Sequence, residues 1–307
     1  MNDRMPTITE CLVERTILRT LYYFELFSYP LTEQEILRFA HNLAGDVESI
    51  PTEPVLREKL QSLEEEGKVF RFGAYFQTQD KPEWVSRRQE NNSRADAMLP
   101  IARRIARLID SFPFVRAVFV SGSLSKHSMR PDSDIDFFII TEPERLWLAR
   151  TLLVAFKKLF LFNSHKYFCV NYFIDTEHLE IEEKNLFTAT EVVTLLPMYG
   201  KEWCQAFYGA NAWAFQQFPL MPRRSMKDVP PQKQRRLKKI LEYLLSGRLG
   251  DWLDRQTLRL TVGFWKRKFS HFDDPTFNVA LKSRRYVSKH HPLYFQEKVL
   301  KHMENKL

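Results

Sequence analysis

Two stretches of the sequence decide the fold: Val-Phe-Val-Ser-Gly-Ser-Leu-Ser at residues 118–125 and Ser-Asp-Ile-Asp-Phe-Phe-Ile-Ile at residues 133–140. Each contains an apolar run with the length and composition of a buried β-strand. The first run leads into a Gly-Ser turn, and the second begins at an acidic pair, Asp134 and Asp136. Side chains at positions i and i+2 of a strand face the same way, so we expect both carboxylates on one face.

This acidic pair predicts a bound cation. Two neighbouring carboxylates repel each other, and apolar surroundings make an uncompensated pair costly. Mg²⁺ is a hard cation that takes one or two carboxylates together with phosphate oxygens. The Gly-Ser turn offers backbone N–H groups and a hydroxyl beside that metal, which suits a triphosphate. The pattern predicts phosphoryl transfer driven by electrostatics, and the alternative is a surface loop with two solvated aspartates.

The arrangement resembles the nucleotidyltransferase superfamily, the group that contains polymerase β-like and antibiotic-modifying enzymes. The resemblance covers roughly residues 94–174 and rests on the Gly-Ser turn, the ten residues between Ser123 and Asp134, and the apolar strands. It implies a Mg²⁺- or Mn²⁺-dependent enzyme in which an acceptor hydroxyl attacks the α-phosphate of a nucleoside triphosphate and expels pyrophosphate. The acceptor is a small molecule, a protein or RNA. The residues implied are Asp134 and Asp136 as catalytic metal ligands, and Ser121, Gly122, Ser123 and Lys126 at the phosphates.

Members of the superfamily also use a third carboxylate on a neighbouring strand. The matching strand spans residues 167–174, and its central polar residue is Asn171, whose amide can ligate a metal but cannot take a proton. We expect Asp175 to be an exposed cap at the strand's end, and the alternative is that it replaces the third carboxylate. We expect Glu191 to close a capping box that begins at Thr188, and the alternative is a catalytic role. The second interpretation is therefore a non-catalytic nucleotide- or nucleic-acid-binding regulator on a degenerate nucleotidyltransferase fold.

The N-terminal segment predicts three helices and a hairpin. Helical spacing covers residues 8–27, Thr32 opens a second helix with a capping box, and a third helix runs from Pro54 to Gly67. The aromatic arms around Gly73 indicate a β-hairpin, and the whole resembles a winged helix-turn-helix. The third helix carries two basic and four acidic residues, so we favour docking to a protein partner over DNA binding.

These patterns predict an α/β (α+β) protein with a small mixed nucleotidyltransferase sheet. The predicted domains are a winged-helix-like module at residues 1–80, the nucleotidyltransferase domain at 81–180 and a basic helical domain at 181–307. Polar residues 81–92 are predicted to form a linker, and residues 188–199 a single helix.

The basic residues concentrate at the C-terminal end. Residues 221–307 carry 21 basic and 8 acidic residues, whereas residues 1–220 have a net charge of −5. One cluster shares an amphipathic helix with Ile240 and Leu244. The resemblance implies that these cations line the acceptor side of the nucleotide cleft, and the alternative is a solvated basic surface. The clusters comprise Lys233, Arg235, Arg236, Lys238 and Lys239, and residues 282–291.

Several classes of protein are excluded. The three cysteines have no metal-ligand spacing, and no P-loop motif occurs. The N-terminal residues lack an apolar signal-peptide core, and no segment is long enough to cross a bilayer. We therefore expect a cytoplasmic protein without a membrane partner.

Overall fold

Helices make up most of the chain, and two β-sheets complete it. The structure is a computed structural model that describes residues 8–42, 50–161, 166–233, 235–291 and 295–306. Residues 1–7, on which the expectation of no signal peptide rests, lie outside the described residues. The helices are α1 (Ile8–Glu25), α2 (Glu33–Phe39), α3 (Glu53–Glu65), α4 (Glu83–Asp110), α5 (Gly122–Ser125), α6 (Leu146–Phe160), α7 (Leu186–Thr194), α8 (Lys201–Ala210), α9 (Ala212–Gln217), α10 (Arg236–Leu244), α11 (Arg248–Lys268), α12 (Asp274–Ala280) and α13 (Phe295–Lys306). The strands are β1 (Leu31–Thr32), β2 (Phe70–Phe72), β3 (Tyr75–Gln77), β4 (Val115–Ser121), β5 (Asp136–Thr141), β6 (Cys169–Asp175), β7 (Leu196–Tyr199), β8 (Ser283–Arg284) and β9 (Val287–Lys289).

A six-stranded mixed sheet forms the centre, with strand order β7-β4-β5-β6-β9-β8. β5 and β6 are parallel, and the other neighbours are antiparallel. Successive side chains of β5 enter two different cores, because strand side chains alternate between the faces of a sheet. Phe137 and Ile139 pack with α4 and α6, whereas Phe138 and Ile140 pack with α7 and α8. The predicted α/β class with a mixed sheet is confirmed.

Two of the predicted elements are wrong. Residues 81–92 are not a linker, because α4 begins at Glu83 and its polar side chains find partners within the fold. Arg88 is buried and donates to Glu35 Oε1 at 2.6 Å and to the carbonyl of Pro30. Residues 188–199 are not one helix, because α7 ends at Thr194 and β7 then pairs with β4. Pro197 explains the break, since the residue before a proline is driven away from helical geometry.

The C-terminal part of the chain is less exclusively helical than predicted. β7, β8 and β9 all come from beyond residue 180 and extend the central sheet on both sides. Val299 and Met303 of α13 pack into the core formed by α1, α2 and α3. The boundaries at residues 80 and 180 remain predictions. Among the described helices, none combines the length and the apolar composition needed to cross a bilayer.

The N-terminal segment contains α1 to α3 and a second sheet of order β1-β3-β2. The predicted capping box of α2 is confirmed, because Thr32 Oγ1 accepts the Glu35 N–H and Glu35 Oε2 accepts the Thr32 N–H at 2.9 Å. The identification of this segment as a winged helix remains a prediction.

The structure differs from the predicted basic face of α10 at one cation and at two apolar residues, whereas Arg236 and Lys239 are exposed as predicted. Lys238 is buried and donates to the carbonyls of Asp110 and Val115, both at 2.7 Å, whereas Ile240 and Leu244 are exposed. Burial lowers the pKa of Lys238 to about 8, against the attraction of Asp110 and Glu242. A lysine therefore anchors this helix, because its ammonium group bonds one carbonyl at the end of α4 and one at the start of β4.

Replacing Lys238 with Met is expected to destabilise the protein by about 2–4 kcal/mol, because two buried carbonyls lose a charged donor. The midpoint of urea denaturation measures this change. The matched control is Lys239→Met, since Lys239 is exposed on the same helix and its loss should cost at most about 0.5 kcal/mol. Equal effects of the two substitutions would contradict the anchoring role of Lys238.

Candidate functional site

The Gly-Ser turn lies directly against the acidic pair. β4 ends at Ser121, and the chain turns into α5 at Gly122 with φ +66°. A Cβ atom at residue 122 would lie 2.4 Å from Asp136 Oδ2. Real Cβ atoms do not approach an oxygen this closely, and L-residues rarely adopt this φ. Only glycine lets the turn and the carboxylate occupy this position together.

The two aspartates are placed differently from the prediction. Asp136 is the first residue of β5 and pairs in register with Ser121 of β4. Asp134 lies two residues before the first residue of β5, so the strand begins later than predicted. The cause lies at Ile135, whose N–H donates to the carbonyl of Lys166 and whose carbonyl accepts the N–H of Cys169. These bonds hold residue 135 beside the start of β6 instead of β4, although the charge of Asp134 still acts on Asp136.

The carboxyl group of Asp136 has an unusual acidity. The pKa of Asp136 is raised to about 6, chiefly by burial and also by the negative charges of Asp134 and Glu191. Hydrogen bonds from the Cys169 thiol and from Asn171 oppose this shift. A carboxylate that is buried beside two others is stabilised by any cation that enters the site.

Asn171 lies within β6 and contacts Asp136. Its Nδ2 donates to Asp136 Oδ1 at 2.9 Å. Its Oδ1 is buried and accepts no hydrogen bond from any described residue. A buried polar atom without a partner is costly, so this oxygen is available to a ligand. Asp175, at the end of β6, does act as a cap for the N–H groups of Glu177 and His178, but it is buried and not exposed as predicted.

Glu191 belongs to the site, and the prediction of a capping box is wrong. α7 begins earlier than expected, at Leu186, and Asn185 caps it by accepting the Thr188 N–H at 3.0 Å. Glu191 therefore lies inside the helix, where it pairs with Lys126 Nζ at 2.7 Å. Asn185 before the apolar run was the sequence feature that could have placed the helix start correctly.

Two lysines supply positive charge near the turn. Lys126 Nζ donates to the carbonyl of Gly122 at 3.2 Å as well as to Glu191. Lys157 of α6 is buried, and burial lowers its pKa against the attraction of Cys169 and Asp134. The sequence did not indicate Lys157, because it interrupts an apolar stretch far from the motif. His127 and Arg130 pair with Asp96 and Asp132 outside the turn.

Two C-terminal cations pair with carboxylates other than Asp134 and Asp136. Lys282 pairs with Glu182 and Glu183, and Arg285 pairs with Glu144. Burial lowers the pKa of His291 to about 3, so this side chain is neutral at physiological pH. The cluster at residues 282–291 contributes β8 and β9 to the sheet, and the His290 N–H donates to the carbonyl of Asn171 at 2.8 Å. A place for these residues on the acceptor side remains a prediction.

Asp134 and Asp136 are the two candidate metal ligands of the site. Within the described ranges, no three His, Cys, Asp or Glu side chains meet in a way that could hold a metal ion. Glu191 acts on Asp136 through its charge and does not complete such a cluster. A cation at Asp134 and Asp136 would therefore need oxygen atoms from a substrate or from water.

Comparison with known proteins bears on the same segment. A family model described as a nucleotidyltransferase domain matches residues 102–207, about a third of the chain. The match runs from α4 through the Gly-Ser turn, the acidic pair and β6 into α8. It supports the predicted superfamily for this segment, and with it an enzyme of nucleotidyl transfer that takes a nucleoside triphosphate. No curated protein and no solved structure matches the chain.

Proposed function

We propose that this chain is a divalent-metal-dependent nucleotidyltransferase that moves a nucleoside monophosphate from a nucleoside triphosphate to an acceptor hydroxyl and releases pyrophosphate. The observation that carries the proposal is the fit between Gly122 and Asp136. The turn has the conformation and the absence of a side chain that bring its backbone against the carboxylate. A turn with free N–H groups and a carboxylate in contact is the arrangement that a metal-bound triphosphate needs.

The residues of the site fit a Mg²⁺ or Mn²⁺ ion. Asp134 and Asp136 would hold it, and their oxygens are the hard ligands that such ions prefer. The unpartnered Oδ1 of Asn171 and the raised pKa of Asp136 are two further features that a cation would relieve. When bound, the ion neutralises charge on the triphosphate and on the leaving pyrophosphate.

The other groups of the site bind and orient the substrate. Ser121, Gly122 and Ser123 direct backbone N–H and hydroxyl groups toward the β- and γ-phosphates, and Lys126 adds a positive charge at the turn. The acceptor oxygen forms the new bond to the α-phosphorus and gives up its proton to solvent water. The bond between that phosphorus and the oxygen that bridges to the β-phosphate breaks, and pyrophosphate leaves. Because the groups are fixed before the substrate arrives, little reorganisation is needed in the transition state.

Labelled nucleotides test this function directly. The full chain is incubated with each nucleoside triphosphate labelled on the α-phosphate, with Mg²⁺ or Mn²⁺ and with cell extract as the source of acceptor. We expect transfer of the label from one or more nucleotides, together with release of pyrophosphate. The labelled product identifies the acceptor class as a small molecule, a protein or RNA. Absence of transfer with every nucleotide and either metal would count against the proposal.

Asn171 favours one second candidate, a regulator that binds the nucleotide without turnover. Replacing Asn171 with Asp separates the two functions, because it adds a carboxylate beside Asp136. We expect the metal-free variant to unfold at a lower temperature than the wild type, because the added carboxylate repels Asp136. Added Mg²⁺ should remove this difference in unfolding temperature. Thermal unfolding with and without Mg²⁺ measures both effects, and the labelled assay shows whether turnover rises. A transferase retains turnover with Asn at this position, whereas a regulator shows none until Asp is introduced.

We also propose that the N-terminal module, with its winged-helix-like order of elements, docks to protein and not to DNA. The outer face of α3 exposes Glu58, Glu64 and Glu65, and Arg57 is paired with Glu33. Such a surface repels phosphate. Tight, salt-sensitive binding of duplex DNA by the full chain would overturn this assignment. A cytoplasmic location remains a prediction.

A further inference from the structure

α10 and α11 carry an unusual density of exposed apolar side chains. Eight of the 15 exposed large apolar side chains of the described residues lie between residues 237 and 264, and each of the eight is at least 55% exposed. They are Leu237, Ile240, Tyr243, Leu244, Leu249, Trp252, Leu260 and Phe264. Single exposed apolar residues need no explanation, but a concentration of this kind marks an interaction surface.

The exposed face of α11 carries an apolar stripe and a basic stripe side by side. Leu249, Trp252, Leu260 and Phe264 follow helical spacing and form an apolar stripe on one side of the helix. A basic stripe runs beside it and consists of Arg248, Arg255, Arg259 and Lys266, all exposed. The helix has 21 residues, so the two stripes extend over about 30 Å.

The exposed charges of this region have one sign. Between residues 236 and 268, all eight exposed charged side chains are basic, and none forms an ion pair with a described carboxylate. The three acidic residues of the region have partners within the fold. Glu242 pairs with Arg116, Asp251 pairs with Arg145, and Asp254 is buried and accepts the N–H of Leu148. The region therefore presents apolar and positive groups to its surroundings.

The combination of exposed apolar and basic side chains indicates which kind of partner binds α10 and α11. A second copy of the chain, placed symmetrically, would bring basic stripes together without acidic residues to balance them. A nucleic acid would use the arginines but would gain nothing from exposed Leu237, Ile240 and Leu260. An anionic lipid surface uses both, because aliphatic and aromatic side chains enter the boundary of the acyl chains while Lys and Arg contact the headgroups.

We propose that α10 and α11 bind the surface of a bilayer that contains anionic phospholipids. The expectation of no membrane partner rested on the lack of a spanning segment, and a helix lying among headgroups needs none. α10 is anchored at Asp110 and Val115, at the opposite end of β4 from the Gly-Ser turn. The nucleotide site is therefore separate from this end of the surface.

Sedimentation of the full chain with vesicles tests the proposal. One set of vesicles contains phosphatidylcholine with phosphatidylglycerol, and the other contains phosphatidylcholine alone. We expect binding to the anionic vesicles only. Leu260→Glu/Phe264→Glu and Arg255→Glu/Arg259→Glu should each weaken that binding by about tenfold or more. The matched controls are Leu220→Glu and Arg103→Glu/Arg107→Glu, at exposed positions outside α10 and α11, and they should bind as the wild type does.

Each of the following results would overturn the proposal that this surface binds anionic lipid. Absence of vesicle binding, or equal binding to both kinds of vesicle, excludes an anionic lipid surface. Binding that survives Leu260→Glu/Phe264→Glu excludes insertion of the apolar stripe. If the protein instead sediments as a dimer that these substitutions dissociate, a second copy covers the surface. Nucleotidyl transfer without vesicles should be unchanged in every variant, which keeps this test distinct from the test of the proposed function.

Discussion

Replacing Asp136 with Asn is expected to abolish nucleotidyl transfer and, at the same time, to stabilise the metal-free protein. The substitution keeps the shape of the side chain and removes the charge that a metal ion would need. Loss of one preorganised electrostatic group in a site of this kind lowers the rate by about 10²–10³-fold or more. Transfer of labelled nucleotide and release of pyrophosphate measure the loss.

The stabilisation follows from the raised pKa. Asp136 has a pKa of about 6 in the folded protein, against 3.8 as its ordinary value. The folded state therefore holds its proton more tightly than the unfolded state. Wild-type stability falls as the pH rises from about 4 to about 6 and stays at the lower level above that. The loss is on the order of 1–3 kcal/mol, and the Asn variant should lack this step.

Thermal unfolding between pH 4 and pH 8 distinguishes this account from a simple loss of structure. We expect the variant to unfold above the wild type at pH 7, and Mg²⁺ to raise the melting temperature of the wild type only. Asp132→Asn is a matched control, because Asp132 is exposed in the loop that leads to the same strand. This substitution should change neither the melting temperature at pH 7 nor its response to Mg²⁺. Undiminished transfer by the Asp136→Asn variant would refute the proposed site.

The parts of the site that the sequence predicted are those governed by local pattern. The apolar runs predicted β4 and β5 within a residue or two, because buried strands are short, continuous and bounded by turn residues. The turn at Gly122 was equally visible. The offset of Asp134 was not, since it depends on hydrogen bonds between residue 135 and residues 166 and 169, which lie on a later segment.

Two of the errors have different physical origins. Glu191 satisfied the spacing of a capping box, yet a better cap three residues before Thr188 had already started the helix. Lys238 satisfied the pattern of a solvated basic face, yet its ammonium group is buried and donates to the carbonyls of Asp110 and Val115. A competing local cap decided the first case, whereas partners distant in sequence decided the second.

A methyl group at residue 122 is expected to produce the second large effect. Gly122→Ala combines a backbone penalty with a steric one. The positive φ costs about 1–2 kcal/mol for an L-residue, and the added Cβ, 2.4 Å from Asp136 Oδ2, forces the carboxylate to move. That carboxylate is held by Asn171 and Cys169 in a buried position, so it cannot yield freely. A displacement of about 1 Å at reacting groups lowers rates by about 10²-fold.

Two further glycines separate these contributions. Gly73 has φ +62° and open space around its Cβ position, so Gly73→Ala measures the backbone penalty alone. Gly209 lies in α8 with open space, and Gly209→Ala should leave stability unchanged or raise it slightly. We expect Gly122→Ala to lose more stability than Gly73→Ala in urea denaturation, and to be the one substitution of the three that abolishes transfer. Equal losses of stability in Gly73→Ala and Gly122→Ala would mean that backbone strain alone accounts for the glycine at residue 122. If nucleotidyl transfer also persisted in Gly122→Ala, the contact between the turn and Asp136 would have no functional role.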